Sequence, residues 1–402
     1  MKQILIRRPV PEEHGLSVRL SAELETDARR TLFFETAGER RCDLADDRAD
    51  AFVVMLLRHA LETGADIRSE APVSTELLYH LNDFLIPTLA RAVSRFHPMK
   101  VMADGCGPSG GTETAAGYSG GVDSLYTLAR HTGPEENRPG LRLDALACFD
   151  AGVYEESGEA RDRTYAEALR ETAETAARFG LGCIGVRSNI QNLVNEHYLG
   201  VASFRLIACA MAAGRRIGTF LLSGAYEFPA FGVDADNSAC YDLLIAEQLS
   251  TSGFRIYIPG GPLKRIEKIG YLAEQEEAVR NLLHVCVRDP LPLGRNCGLC
   301  PKCIRTELAM EGLGVPERFG AVFPWDVIRA HHDEIVAKAR LSSRNPHAAE
   351  ALRALEQRGY RDTEEIRRRI RGGAAAAAVV SRRREELLKR MEEGKRRERN
   401  PE

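Results

Sequence analysis

Ser119-Gly120-Gly121-Val122-Asp123-Ser124 is the stretch on which the reading of this chain turns. A short apolar run, residues 115–118, precedes it, and a helix-like run, residues 125–131, follows it. That is a strand, a glycine turn and a helix start. The first amides of a helix have no partner within it and point at whatever lies in front of them. Two glycines let the backbone approach a ligand with no Cβ in the way. The partial positive charge of the helix end then favours an anion. Ser119 and Ser124 add hydroxyl donors, and Asp123 can hold a Mg²⁺ that bridges phosphate oxygens. A bare Ser-Gly-Gly reads as an ordinary turn; these six residues in this setting read as a phosphate loop. No GxxxxGK[ST] occurs in the chain, so hydrolysis of the Walker type is not expected.

Outward from the loop, strand and helix patterns alternate. Strands are expected at residues 143–149, 183–186, 219–222 and 255–258, and helices at 160–179 and 201–213. The fold class expected is α/β: a five-stranded parallel sheet with helices on both faces, Rossmann-like. Ligands then sit beyond the carboxyl ends of the strands. That rule selects Asp150 as an acceptor for a ribose hydroxyl or adenine amine. Arg187 and Ser188 flank the nucleotide, and Ser223, Gly224 and Glu227 lie where a substrate meets the α-phosphate. Each of these, taken singly, also reads as an ordinary loop residue. Residues 228–250 begin as a long irregular loop of the kind that forms lids. Beyond it, Lys264, Arg265 and Lys268 can neutralise charge on a departing pyrophosphate or simply face solvent. Gly105 to Gly110 match GxGxxG formally, but a proline interrupts them and a strand follows, so the segment reads as a linker.

The loop signature resembles that of the PP-loop ATP pyrophosphatases, the adenine nucleotide α-hydrolase-like enzymes of HUP type. The resemblance implies cleavage of ATP between its α- and β-phosphates. It also implies adenylylation of a carbonyl, amide or carboxylate oxygen, with pyrophosphate leaving from residues 119–124.

Four further residues extend the pattern. Cys286, Cys297, Cys300 and Cys303 are spaced C-x10-C-x2-C-x2-C. Thiolates bind Zn²⁺ tetrahedrally, and C-x2-C offers two sulfurs from one turn. Gly298 and Pro301 suit such turns, and Arg295, Lys302 and Arg305 offset the charge of a four-thiolate centre. An iron–sulfur cluster is the alternative, and His284 is a substitute ligand. Cys148 and Cys240, outside the cluster, are candidates for sulfur transfer. A PP-loop domain followed by this cysteine pattern is similar to the 7-cyano-7-deazaguanine synthase family, which turns a carboxylate into an amide and then a nitrile with ammonia and ATP. The similarity covers residues 115–304, about half of the chain. Glu227 matches that family's acidic residue after the fourth strand. Arg265 stands nearest the place of its phosphate-binding lysine. An insertion at residues 153–159 and extensions at both ends depart from it.

The rest bounds the problem. The chain has 402 residues, 44% of them hydrophobic, enough for two or three domains. Its formal net charge of −3 excludes little. No charged-then-apolar leader opens it, and its longest apolar runs, such as residues 374–380, are too short for a bilayer. Clustered cysteines without such a leader point to metal and a cytoplasmic protein. Residues 1–105 are expected to form an α+β domain, 106–280 the ATP domain, 281–310 the metal segment and 311–402 a helical, charged extension. The amino-terminal part reads as strands at 16–20 and 30–35 and helices at 46–62 and 74–96, with a stabilising, substrate-positioning or dimerising role. Residues 361–402 carry 14 Lys/Arg against 9 Asp/Glu, interleaved as on a solvated helix; nucleic-acid binding is possible but not favoured. The cofactors expected are ATP, Mg²⁺ and Zn²⁺. The partners are a small carboxylate or amide, or a modified protein, and a second copy in a homodimer; no membrane partner is expected. A sulfur-inserting enzyme acting on tRNA and a non-catalytic ATP-binding protein are the rival functions.

Overall fold

The computed structural model describes residues 2–15, 17–37, 43–154, 157–286 and 295–372. The basic run beyond residue 372 lies outside them. Two compact units result: Met1–Ser119 with Arg130–Leu263, and Gly120–Ala129 with Lys264–Glu402.

The first unit is built on one sheet of eleven described strands. They are β1 (Gln3–Ile6), β2 (Val10–His14), β3 (Ser17–Glu25), β4 (Arg29–Ala37), β5 (Asp66–Ser69), β6 (Val101–Met102), β7 (Glu113–Gly117), β8 (Ala145–Asp150), β9 (Gly182–Ser188), β10 (Ile217–Leu221) and β11 (Arg255–Tyr257). Their order is β11-β10-β7-β8-β9-β4-β3-β1-β5-β6, with β2 beside β3. The five strands expected from the alternating pattern are parallel neighbours. Every residue of β8 is buried, as in a parallel sheet covered on both faces. The amino-terminal strands do not form a sheet of their own. β4 pairs antiparallel with β9 through Thr36 opposite Val186 and Phe34 opposite Ser188, so the parallel sheet runs on into an antiparallel one. The reason is visible in β3 and β4: β3 alternates buried and solvent-side residues throughout and β4 does so up to Phe34, and the buried set, Leu20, Ala22, Leu32 and Phe34, joins the same core as Ile184 and Val186.

Helix α1 (Asp50–Thr63) packs on the long apolar helix Tyr198–Ala212. Residues 74–96, expected as one helix, form Thr75–Tyr79, a π-turn at His80–Leu85 and Ile86–Ala92. Pro87 has no N–H to give to the carbonyl one turn back, and the Ile86 amide reaches Leu81 instead. The GxGxxG segment opens as a two-residue strand, Gly105–Cys106, paired with Val73–Ser74, and continues as a connector. A Cβ on Gly110 would fall 1.6 Å from the Gly253 carbonyl oxygen and one on Gly111 1.8 Å from that of Arg216. These glycines serve backbone crossing backbone. The expected lid is tied down: Ala235 O accepts from Arg58 and Arg95, both at 2.8 Å, and Asp236 pairs with Arg95 at 2.7 Å.

The second unit is helical. Its longer pieces are the first turns of α2 (Val122–Thr132), then α3 (Arg265–Ala273), α4 (Pro301–Leu313), α5 (His332–Leu341), α6 (Pro346–Gln357) and α7 (Glu364–Arg371). α4 packs on both α3 and α6. Tyr126 of α2 meets Tyr271 of α3 edge to face, ring centroids 5.1 Å apart.

Candidate functional site

Strand β7 ends at Gly117, and α2 begins at Val122, so residues 118–121 are the turn that the sequence marks. Gly120 is at φ +69°, a conformation that side chains resist. A Cβ there would also stand 3.2 Å from the His284 Cβ. The Gly120 carbonyl accepts from the His284 amide at 2.8 Å, so His284 holds the turn through its backbone. Helix α2 starts tightly: Leu125 N–H donates to Gly121 O at 2.9 Å, and Ser124 Oγ donates to the same oxygen at 3.1 Å. Val122 and Ser124 are buried, while Ser119 is exposed.

Asp123 projects from the first turn of α2 into cations. Its carboxylate receives the Arg265 guanidinium on one oxygen and Lys268 Nζ on the other, the latter at 3.2 Å. Lys268 is fully buried, and that burial pulls its ammonium pKa down, which the Asp123 charge partly opposes. Arg265 Nε is buried with no hydrogen-bond partner. Buried His347 on α6 is pushed down to about 2 by burial and by the charges of Arg265, Arg305 and Lys268. Glu350 accepts from the Ile266 amide at 3.3 Å; Lys268 feels the charges of Asp123, Arg265 and Glu350, and Lys302 those of Arg305, Arg265 and Asp123. Lys264 takes another role: its amide donates to the Glu267 carboxylate at 2.8 Å, starting α3. Cations gathered at a helix start are what an anion meets favourably.

The four cysteines come together as their spacing predicts. All are buried and their Sγ atoms lie within 4.8 Å of one another, a set that can hold a metal ion such as zinc. Cys297 and Cys303 sulfurs are 3.8 Å apart, and those of Cys286 and Cys300 4.0 Å. Tetrahedral sulfurs around one zinc would be about 3.8 Å apart. The Cys300 amide donates to Cys297 Sγ at 3.3 Å and the Cys303 amide to Cys300 Sγ at 3.4 Å. Gly298 takes φ +71° between them. Hydrogen bonds from Cys286 and Cys300 hold the Cys297 thiol well below the usual thiol range. His284 stays outside this set.

One residue here is illegible in the sequence. Asn296, fully buried, accepts the Val285 and Cys286 amides at 2.7 and 3.2 Å. Its amide group donates to Leu283 O and Val322 O at 2.9 and 3.0 Å. It clamps the first ligand's segment onto the other three, and nothing in its type announces that.

In the first unit, the strand-end residues have company of their own. Asp150 is held by both Arg161 nitrogens, Nε at 2.8 Å and Nη2 at 2.7 Å, in a bidentate pair. Arg187 spans Glu35 at 2.9 Å and Asp162 at 2.8 Å. Ser188 is buried and its hydroxyl has no partner. Gly224 N–H donates to Pro259 O at 3.3 Å, Ser223 is half-buried, and half-buried Glu227 opens the short turn Phe228–Ala230. Cys148 is buried, and burial pushes its thiol up to about 12; Cys240 is raised for the same reason. No helix among the described residues is long and apolar enough to cross a membrane.

No family model, curated protein or solved structure matches this chain.

Proposed function

We propose that the protein is an ATP-dependent, AMP-forming enzyme of the PP-loop kind, HUP-type in fold. In this reading it adenylylates a carboxylate or amide oxygen and passes the acyl group to ammonia or another amine. The observation that carries this reading is the cation set around Asp123 at the start of α2. A glycine turn alone is common. A glycine turn whose following helix start faces Arg265 and Lys268 is built for a polyanion.

The β- and γ-phosphates, which leave as pyrophosphate, would lie against the amides of residues 120–124 with Arg265 and Lys268 beside them. The substrate oxygen attacks the α-phosphorus, and the bond from that phosphorus to pyrophosphate breaks. The acyl adenylate then meets the amine: the new C–N bond forms, AMP departs and the amine loses a proton. Positioning and charge stabilisation supply most of the acceleration. Mg²⁺ would lower the charge on the phosphates. Asp123 is the carboxylate in place to hold it, since a phosphate that draws Arg265 and Lys268 away frees its oxygens. The cysteine set, closed by four thiolates, reads as a structural zinc site; the sulfur spacing suits one ion better than a cluster.

The sulfur-inserting alternative needs a reactive thiolate. The raised thiols of Cys148 and Cys240 count against those two residues. The test is pyrophosphate release from ATP across candidate carboxylates with ammonia. Wild type is expected to form AMP and pyrophosphate in equal amounts with one of them, and Asp123→Asn to lose at least a hundredfold. Unchanged release by that variant would sink the proposal.

A further inference from the structure

We propose that the trough where α5, α6 and α7 meet is a second anion site, shaped to take the doubly charged head of a small phosphomonoester. It shares no residue with the 120–124 turn and stands whether or not the phosphate-loop reading does.

The trough has a volume of about 590 Å³. Arg340 of α5, Arg353 and Glu356 of α6, Arg361 and Asp362 of the link to α7, and Arg367 of α7 line it. Small-molecule sites run from about 300 to 1,000 Å³. Local chemistry shapes the walls. Gly359, at φ +90°, turns the chain out of α6. Thr363 starts α7: its hydroxyl accepts from the Ile366 amide at 3.2 Å and donates to Asp333 of α5 at 3.0 Å. Asp362 ties the same link to α5 through Arg340, 3.0 Å from Nη2 and 3.3 Å from Nε.

A solvated helix face pairs its arginines with acids three or four residues away. Arg367 follows that pattern on α7, reaching Glu364 at 3.3 Å. The rest of the trough does not. Glu356 stands three residues after Arg353, yet its carboxylate turns to Arg340 Nη1 at 2.5 Å. Both acids of the wall are therefore taken by one arginine. Arg353 has no hydrogen-bond or ion-pair partner among the described residues. Arg361 gives Nη1 to the carbonyls of Tyr360 and Glu356, at 2.7 and 3.3 Å, and meets no carboxylate among the described residues. Tyr360, also in the wall, has a buried hydroxyl with no partner. Burial pushes that hydroxyl up to about 12, so it keeps its proton and donates.

These three groups are all donors, and two of them carry full charges. A ligand that answers them brings acceptors and two negative charges on one centre. A phosphomonoester has three acceptor oxygens and about −1.5 to −2 charge at neutral pH. Its oxygens match the fork of a guanidinium. A phosphodiester or a carboxylate brings one charge only.

The experiment is calorimetric titration of phenyl phosphate into the full-length, metal-loaded protein at fixed ionic strength. Arg353→Gln and Arg361→Gln are each expected to weaken binding about tenfold, as loss of a charge-assisted contact does. Arg353 holds nothing else in the fold, so its variant should melt as wild type. Tyr360→Phe should weaken binding about threefold. Arg329→Gln, which removes a charge from an exposed pair with Asp326 in the same unit, serves as control and should bind as wild type. Arg265→Gln should still show the trough's binding. Phenyl sulfate, of the same shape with one charge, should bind at least tenfold more weakly. No uptake by wild type, or equal uptake by the Arg353 and Arg361 variants, overturns the inference. So does equal binding of phenyl sulfate, which marks adventitious anion uptake. Loss in Arg265→Gln alone would move the binding to the Asp123 site and overturn it as well. A phosphoserine peptide that binds where phenyl phosphate does not would overturn the small-ligand assignment.

Discussion

Charged groups in the two units are used in opposite ways. In the first unit several buried charges around the sheet are paired with opposite ones. Asp150 has Arg161, Glu35 has Arg19 and Arg187, and Glu196 has Arg205, with side chains only 4% and 2% exposed in the last pair. In the second unit Asp123 faces two cations, others lie near them, and a buried histidine is kept from protonating. A matched pair needs no visitor and holds architecture together. Like charges gathered around one carboxylate repel one another, and an anionic ligand can relieve that repulsion. The contrast teaches where to look: the strand-end residues Asp150 and Arg187, attractive by position, are paired within the first unit, while cations gather at the helix start.

The comparison can be broken most forcefully at the metal. Cys297→Ser should abolish stoichiometric metal binding and unfold the second unit, since a structural zinc can contribute on the order of 10 kcal/mol; metal analysis and a thermal melt check it. Next in size, Arg205→Leu strands Glu196 in the core and should cost the first unit about 3–5 kcal/mol in a denaturant titration. Its pyrophosphate affinity, measured on folded protein, should not change.

Asp242 sharpens the contrast with pH. It is buried, accepts from Ser203, and burial raises its carboxyl from 3.8 to about 7. The unfolded chain releases that proton first, so stability is complete below pH 4 as far as this group is concerned. It then falls as pH rises toward 7, by about 1.4 kcal/mol per unit. Asp242→Asn should flatten that slope in melts across pH 4–7. The smallest effect belongs to Arg265→Gln, which should leave the melt nearly unchanged and weaken pyrophosphate about tenfold, or about 1.4 kcal/mol. A variant that destabilised strongly and bound normally would put Arg265 among the matched pairs.

Much of this was legible because some residues leave little choice. Glycines at 120 and 298 mark backbone that only glycine adopts easily, and both lie at positive φ. Cysteines two apart announce a knuckle, and the four sulfurs meet. Alternating strand and helix patterns placed all five parallel strands within a few residues. What could not be read was pairing at a distance. Arg161 gives no sign that it will take Asp150, nor Asn296 that it will clamp Cys286. The joining of β4 to β9 was equally hidden, since an alternating strand states which face is buried but not which edge it will find. Pro87 did signal a break in its helix; the π-turn that absorbs it did not show.

That junction governs how the chain must be made. Glu35 and Arg187 face each other across β4 and β9 at a separation of 152 residues. A ribosome adding about 5–20 residues per second delivers β9 roughly 10–30 s after β4 has emerged. Throughout that interval the rim of Phe34 and Thr36 is an open, sticky border on a nascent polypeptide. A cover over that border until translation catches up would keep it from pairing with other chains.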